Sequence, residues 1–407
     1  MGSLFRSVNL AGLLAVFGLT FGGLLFCAVA QQAPPSKEST DELTTTKITM
    51  TEWTTPERGW LYVLDGKMDP ASGEGRISLV DPTEGNIVGS IHTGSNPDFA
   101  ISPDGKLLFV ASKADERLSD LAIIDTAKGT VVKTLRIEGR VTTDDMPSYS
   151  GMSVSADGRL LRVLTRDPRS PDADFMLDAI DIKTGTIQPN GVDLDECGFG
   201  RFIDHPSEEQ FDYLCPVSNR VRQVNIDQKT GKADHETVEF PWLRRLGVAE
   251  AFLTGGGEYM AFVRGDGEVD LMNVDSANFS GTRQRYVTEG LVLPGQWPIS
   301  PDGKRIYLGY ALHPDPKFYM RFERSTYYPR TAGAYELSVF DAETWKHIGN
   351  MTGKWWPYWS AVISSDSKIV YALSPENGGI AVFDTTSRKE TRQIELGGTP
   401  ALALVAP

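Results

Sequence analysis

The chain has few of the groups that usually announce a chemistry. It carries five histidines and three cysteines in 407 residues. His92, His205, His235, His313 and His347 are scattered, so no His and Cys set has zinc spacing. There is no Cys-x-x-Cys-His haem attachment segment, no Gly-x-Ser-x-Gly nucleophile turn, and no Walker or dinucleotide loop. Basic charge is also short: 40 Lys and Arg stand against 54 Asp and Glu, a formal net charge of −14. Recognition of nucleic acid needs a basic stripe, and this balance argues against it. The acid excess serves solubility or faces a basic partner. Asp144-Asp145 and the group Asp193, Asp195 and Glu196 read as solvated acid in so acidic a chain.

What the chain does have is repetition. Phe99-Ala100-Ile101 leads into the turn Ser102-Pro103-Asp104-Gly105, and the strand Leu107–Ala111 follows. A third strand, Leu121–Ile124, closes on Asp125-Thr126-Ala127-Lys128-Gly129, and Thr130–Ile137 completes the unit. Four short strands with these turns make one antiparallel sheet. The aspartate of the second turn recurs as Asp81, Asp125, Asp181, Asp227, Asp275, Asp341 and Asp384. Gly85, Gly129, Gly185 and Gly231 sit four residues on, whereas Phe279 and Trp345 take that place later. The first turn recurs at Ser155–Gly158, Ser300–Gly303 and Ser364–Ser367.

One small sheet cannot bury its apolar face alone, so repeated sheets pack radially. The first unit begins with a second strand, Trp60–Leu64, and the last has one strand too many, Pro400–Val405. Joining the two removes the free edges of an open ring. The predicted fold is all-β: a seven-bladed β-propeller of four-stranded antiparallel blades over residues 57–407, one domain, with the ring closed by the C-terminal strand.

Residues 1–30 read as a signal peptide, with Arg6, a long apolar run and the cleavage site Ala28-Val29-Ala30. The run is long enough that an uncleaved anchor stands as the alternative, and contact with a membrane is expected in that case alone. Residues 31–56, rich in Ser, Thr, Pro and charge, are expected to form a disordered tether. The protein is then periplasmic or secreted. Cys197 and Cys215 remain after cleavage, with their midpoint at residue 206 in a proposed turn of the fourth blade. Facing strands and an oxidising compartment favour a structural disulfide over two free buried thiols.

The turns also sort the loops. First-to-second and third-to-fourth connections share one face and are short, so the long connections and the working face lie opposite. The insertion Tyr310–Tyr335 mixes Phe318, Tyr319, Phe322, Tyr327 and Tyr328 with Arg321 and Arg324. The next interblade loop holds Trp355, Trp356, Tyr358 and Trp359. Aromatics with arginine make partner or ligand contacts. The alternative is a lid of aromatics covering one another over the blade.

The Pro97–Gly139 unit resembles the repeat of bacterial YVTN-type propellers. A closer likeness lies in Asp195-Glu196-Cys197 with Phe211–Cys215 and Val221–Asn225, which is similar to the disulfide-bearing hairpin of amine dehydrogenase heavy chains. Gly295-Gln296-Trp297 with Arg305–Leu308, and Val370–Ser374 with Ile380–Asp384, resemble later blades of that family. The resemblance implies a periplasmic propeller with no catalytic, cofactor or metal residues of its own. A small light-chain subunit with a tryptophan-derived quinone would deaminate a primary amine oxidatively. Electrons would then pass to an acceptor protein. Two further readings stand beside it: a stand-alone YVTN-type propeller holding a protein or envelope component, and a lactonase-like enzyme, which would want convergent His, Glu and Arg on the axis.

Overall fold

The computed structural model describes residues 48–65, 75–115, 117–141, 150–166, 175–187, 192–194, 201–204, 210–217, 220–227, 233–239, 248–254, 259–264, 269–273, 290–292, 296–312, 335–355 and 357–407. All of them belong to one compact unit, Thr45–Pro407. The structure is all-β. Among the described residues there is no α-helix, and Pro375–Asn377 forms a single 3₁₀ turn.

Seven antiparallel sheets follow one another along the described chain, and none closes on itself. Sheet two is the plainest: Asp98–Ile101, Leu107–Lys113, Leu118–Asp125 and Thr130–Glu138, each paired with the next. Sheet three runs Met152–Val154, Leu160–Arg166, Phe175–Asp181 and Val192–Asp193, with Arg140–Val141 added against its second strand. Sheets four, six and seven have four strands, and sheet five has three among the described residues. Fourfold regularity therefore holds for part of the chain rather than all of it.

The turns show why the repeat exists. In Ser102–Gly105 the Ser102 hydroxyl donates to Asp104 at 2.7 Å and accepts the Leu107 N–H at 2.9 Å. Ser155, Ser300 and Ser364 repeat both bonds with Asp157, Asp302 and Asp366. The fourth residue takes the left-handed conformation, as Gly105 at φ 70° and as Ser367 at φ 61°. In the other turn Asp81, Asp125, Asp181, Asp341 and Asp384 each accept backbone N–H groups two or three residues on. Trp345 stands at φ 57° where Gly129 stands at 62°. The Trp345 side chain is buried, so packing holds a residue that the bare turn would reject.

Apolar side chains fill the gaps between neighbouring sheets. Leu108, Val110, Ala122 and Ile124 of sheet two meet Tyr62, Leu64, Ile77 and Leu79 of sheet one. Phe109, Ala111, Leu121 and Ile123, on the other face, meet Leu161 and Val163 of sheet three. This is the period-2 alternation of a strand buried on both faces.

The first and last described strands both enter sheet one. Leu402–Val405 pairs antiparallel with Leu61–Asp65 in the register Leu61 to Val405 through Leu64 to Leu402. The pairing expected of the C-terminal strand is therefore present. Asp65 fixes the approach: it accepts the Thr399 N–H at 2.6 Å and pairs with Arg76 at 2.9 Å, while Arg76 also donates to the Leu396 carbonyl at 3.2 Å. At the other end Ala406 N–H donates to Trp60 C=O at 2.7 Å.

The tether expectation needs correcting at its C-terminal end. Thr49–Thr51 pairs with Asn86–Gly94 as a fifth, outermost strand of sheet one. Trp53 then lies over Gly129 so closely that a Cβ there would collide with its ring, and its Nε1 donates to Thr126 C=O at 2.8 Å. Composition pointed to disorder, but one aromatic anchor and three residues of strand pairing tie this stretch down.

The strand pairing leads to a stability test. Removing Pro400–Pro407 should strip an inner strand and the buried Leu402, giving aggregation or a loss of at least about 4 kcal/mol in denaturant unfolding. Asp65→Ala should lose about 1–3 kcal/mol, because it leaves the Thr399 N–H and Arg76 without their acceptor. Variants that unfold like the full chain would contradict the pairing.

Candidate functional site

The first strands of several sheets converge on one cavity of about 290 Å³. Phe99, Ala100 and Ile101 come from sheet two, Ser150 and Met152–Val154 from sheet three, Phe202 from sheet four, Gln296 from the segment before the turn of sheet six, and Leu404 from the C-terminal strand. Strands so far apart in sequence reach one cavity when the sheets stand radially with their first strands innermost.

Hydrogen bonds tie these inner strands together at the end where they begin. Asp98, 1% exposed, accepts the Gly151 N–H at 2.7 Å and the Ser150 hydroxyl at 2.9 Å, joining sheets two and three. Ala361 N–H donates to Gln296 C=O at 2.9 Å, joining sheets six and seven. Ser360 donates to Ala401 C=O at 3.0 Å, joining sheet seven to the C-terminal strand. Asp98 was not singled out in the sequence, since a carboxylate before a strand has no signature of its own.

The two ends of the sheets differ in chemistry. On the short-turn end, the turn aspartates with described side chains are satisfied inside their own turns. The hydrogen bond from Lys106, with that from Ser102, holds Asp104 down to about 2. Asp125 is lowered chiefly by its bond from Lys128, Asp302 and Asp366 by those from Ser300 and Ser364, and Asp341 by that from Thr344. Asp178 in sheet three is the one described carboxylate shifted the other way. Burial raises it, the Thr165 hydroxyl at 3.2 Å opposes that, and Glu138 adds to it.

Of the aromatic contact set, Phe318, Tyr319, Arg321, Phe322, Arg324, Tyr327, Tyr328 and Trp356 lie outside the described residues. Tyr358 is 2% exposed and meets Phe383 edge to face at 5.7 Å. It is a core residue between sheets six and seven, which corrects its placement as a surface contact. Trp355 is half-buried against the same core, over Gly379, and Trp359 is half-buried. Cys197 lies outside the described residues, and Cys215 is in the strand Gln210–Val217. The pairing of that strand with Arg201–Asp204 is centred between residues 207 and 208 rather than at 206.

No group of three or more His, Cys, Asp or Glu able to hold a metal occurs among the described residues. No described helix is long and apolar enough to cross a membrane.

No protein-family model matches the chain, and no curated protein matches it. Solved structures do. The periplasmic gluconolactonase of Pseudomonas aeruginosa has a TM-score of 0.60 at 15% identity, covering 86% of this chain and 99% of that one. Hydrazine synthase of Kuenenia stuttgartiensis gives 0.55 at 14%, over 82% and 98%. A dihydro-heme d1 dehydrogenase gives 0.51 at 13%, over 89% and 72%. Identities this low show the fold alone: the chain is built as a β-propeller.

Asp178 provides a pH test. Its folded value lies above the ordinary 3.8, so charging it opposes folding, and its contribution falls as pH rises through that range. Asp178→Asn should therefore raise the melting temperature at about pH 7 and lose that advantage at about pH 3. Comparing the two proteins at each pH cancels the turn aspartates, whose lowered values act with the opposite sign. An advantage that does not depend on pH would contradict the assignment.

Proposed function

We propose that the seven sheets are the blades of one ring closed by Leu402–Val405, and that the chain is an exported, non-catalytic scaffold subunit. In this reading it is heavy-chain-like in the sense of a quinone-dependent amine dehydrogenase. Its long-connection face carries a small light chain. The tryptophan-derived quinone and the oxidative deamination of a primary amine belong to that light chain, which passes electrons to an acceptor protein. The periplasm is the proposed compartment, and a Cys197–Cys215 disulfide is part of the same proposal.

The observation that carries the reading is the contrast between the two ends of the sheets. On the short-turn end, Ser and Asp side chains are consumed in local bonds. The connections 66–74, 167–174 and 313–334, each between a second and a third strand, leave from the other end, the last with its aromatic and arginine content. The described walls of the axial cavity bear hydroxyl, amide and apolar side chains but no ionisable one. That favours a scaffold over the lactonase-like reading.

Copurification from the native host should recover a smaller partner. Trp356→Ala and Tyr328→Ala should then weaken binding by about 2 kcal/mol or more, roughly thirtyfold, with melting unchanged. Tyr358→Ala should do the reverse, losing about 3 kcal/mol of stability through its core position. A lone monomer destabilised by Trp356→Ala would sink the scaffold reading and leave the stand-alone propeller in its place.

A further inference from the structure

We propose that the axial cavity is a binding site for a small uncharged polyol. The inference is independent of any light chain, because each group it uses is on this chain.

Much of the cavity wall is made of strand edges. In an antiparallel edge strand, alternate residues turn their N–H and C=O away from the ladder. Ser102 N–H donates to Leu107 C=O at 2.9 Å, which fixes the phase of sheet two. Ala100 then lies in the ladder opposite Phe109, and Ile101 presents its N–H and C=O towards the axis. Ser155 N–H donates to Leu160 C=O at 2.9 Å, so Val154 does the same in sheet three. Backbone donors and acceptors in such a place are satisfied by water or by a ligand.

The side chains narrow the class. Ser153 adds a hydroxyl to the lining. Gln296 borders the cavity, and its Oε1 is buried with no hydrogen-bond partner. A small turn of that carboxamide towards an arriving O–H supplies a bond that nothing in the chain provides. Ile101, Phe202 and Leu404, each partly exposed, offer apolar surface to C–H groups. An ion would lose its hydration here without a counter-charge from any described lining side chain. A neutral hydroxylated ring matches mixed donors and acceptors with an apolar wall. A volume of about 290 Å³ lies at the lower end of small-molecule sites, roughly 300–1,000 Å³, and suits a single sugar-sized ring.

Calorimetric titration of the purified full chain tests this with D-glucose and myo-inositol as neutral probes, and with D-gluconate and D-glucosamine as their charged counterparts. At least one neutral probe should bind saturably, and the charged pair at least about tenfold more weakly. Gln296→Met, which keeps the backbone carbonyl to Ala361, should weaken the neutral probe at least about fivefold with the melting temperature unchanged. Ser153→Val is the second variant, expected to act in the same direction. Absence of saturation by both neutral probes, equal binding of the charged ones, or affinity unmoved by both substitutions would each overturn the site and leave a column of water.

Discussion

The structure depends on the pairing of Leu402–Val405 with Leu61–Asp65. Each other sheet is made by a continuous stretch of chain, and its turns stabilise it locally. Sheet one is assembled from three separate segments: Thr49–Thr51 outside, the strands between Leu61 and Gly94, and the C-terminal strand inside. Without the last of these, Tyr62, Leu64 and Ile77 lose Leu402 from their shared cluster. Val63 and Val80 lose Ala403, which lies in the cluster they share with Tyr371 and Leu373 of sheet seven. One strand thus serves two intersheet cores at once.

That arrangement explains the side chains around it. Asp65 and Arg76 hold the Leu396–Thr399 connection before the strand begins. Ser360 holds Ala401 from sheet seven. Arg392 of sheet seven reaches the carbonyls of Pro82 and Thr83 in sheet one. Long-range bonds of this kind carry a large loop-closure entropy that neighbouring local turns do not, so several of them are needed at the seam. The same C-terminal strand carries Leu404, which lines the cavity beside Ile101 and Val154.

Much of this was legible in the sequence because the turns obey hard stereochemistry. Ser-x-Asp-Gly and Asp-x-x-x-Gly encode hydrogen bonds within five residues, and they appear as written at Ser102, Ser155 and Ser300 and at Asp81, Asp125 and Asp181. The surplus C-terminal strand was legible by the same counting. What escaped were tertiary facts. Trp53 sits in a polar segment whose composition says nothing of the groove over Gly89 and Gly129. Tyr358 lies in a run of aromatics that reads as surface, yet its ring faces Phe383. Arg162 is fully buried seven residues after Ser155, where Phe109, Tyr307 and Tyr371 stand seven residues after their own turn serines. No local pattern marks that an arginine takes an aromatic position. Asp98 likewise shows its role through Gly151 and Ser150, more than fifty residues away.

Native-state hydrogen exchange of the C-terminal strand tests the central claim most directly. If Leu402–Val405 is an integral strand of sheet one, its ladder amides should exchange through the same global unfolding as those of Leu61–Leu64, with the same free energy and the same denaturant dependence. Exchange of the C-terminal amides by local fraying, several kcal/mol easier and independent of denaturant while Leu61–Leu64 stay protected, would contradict it.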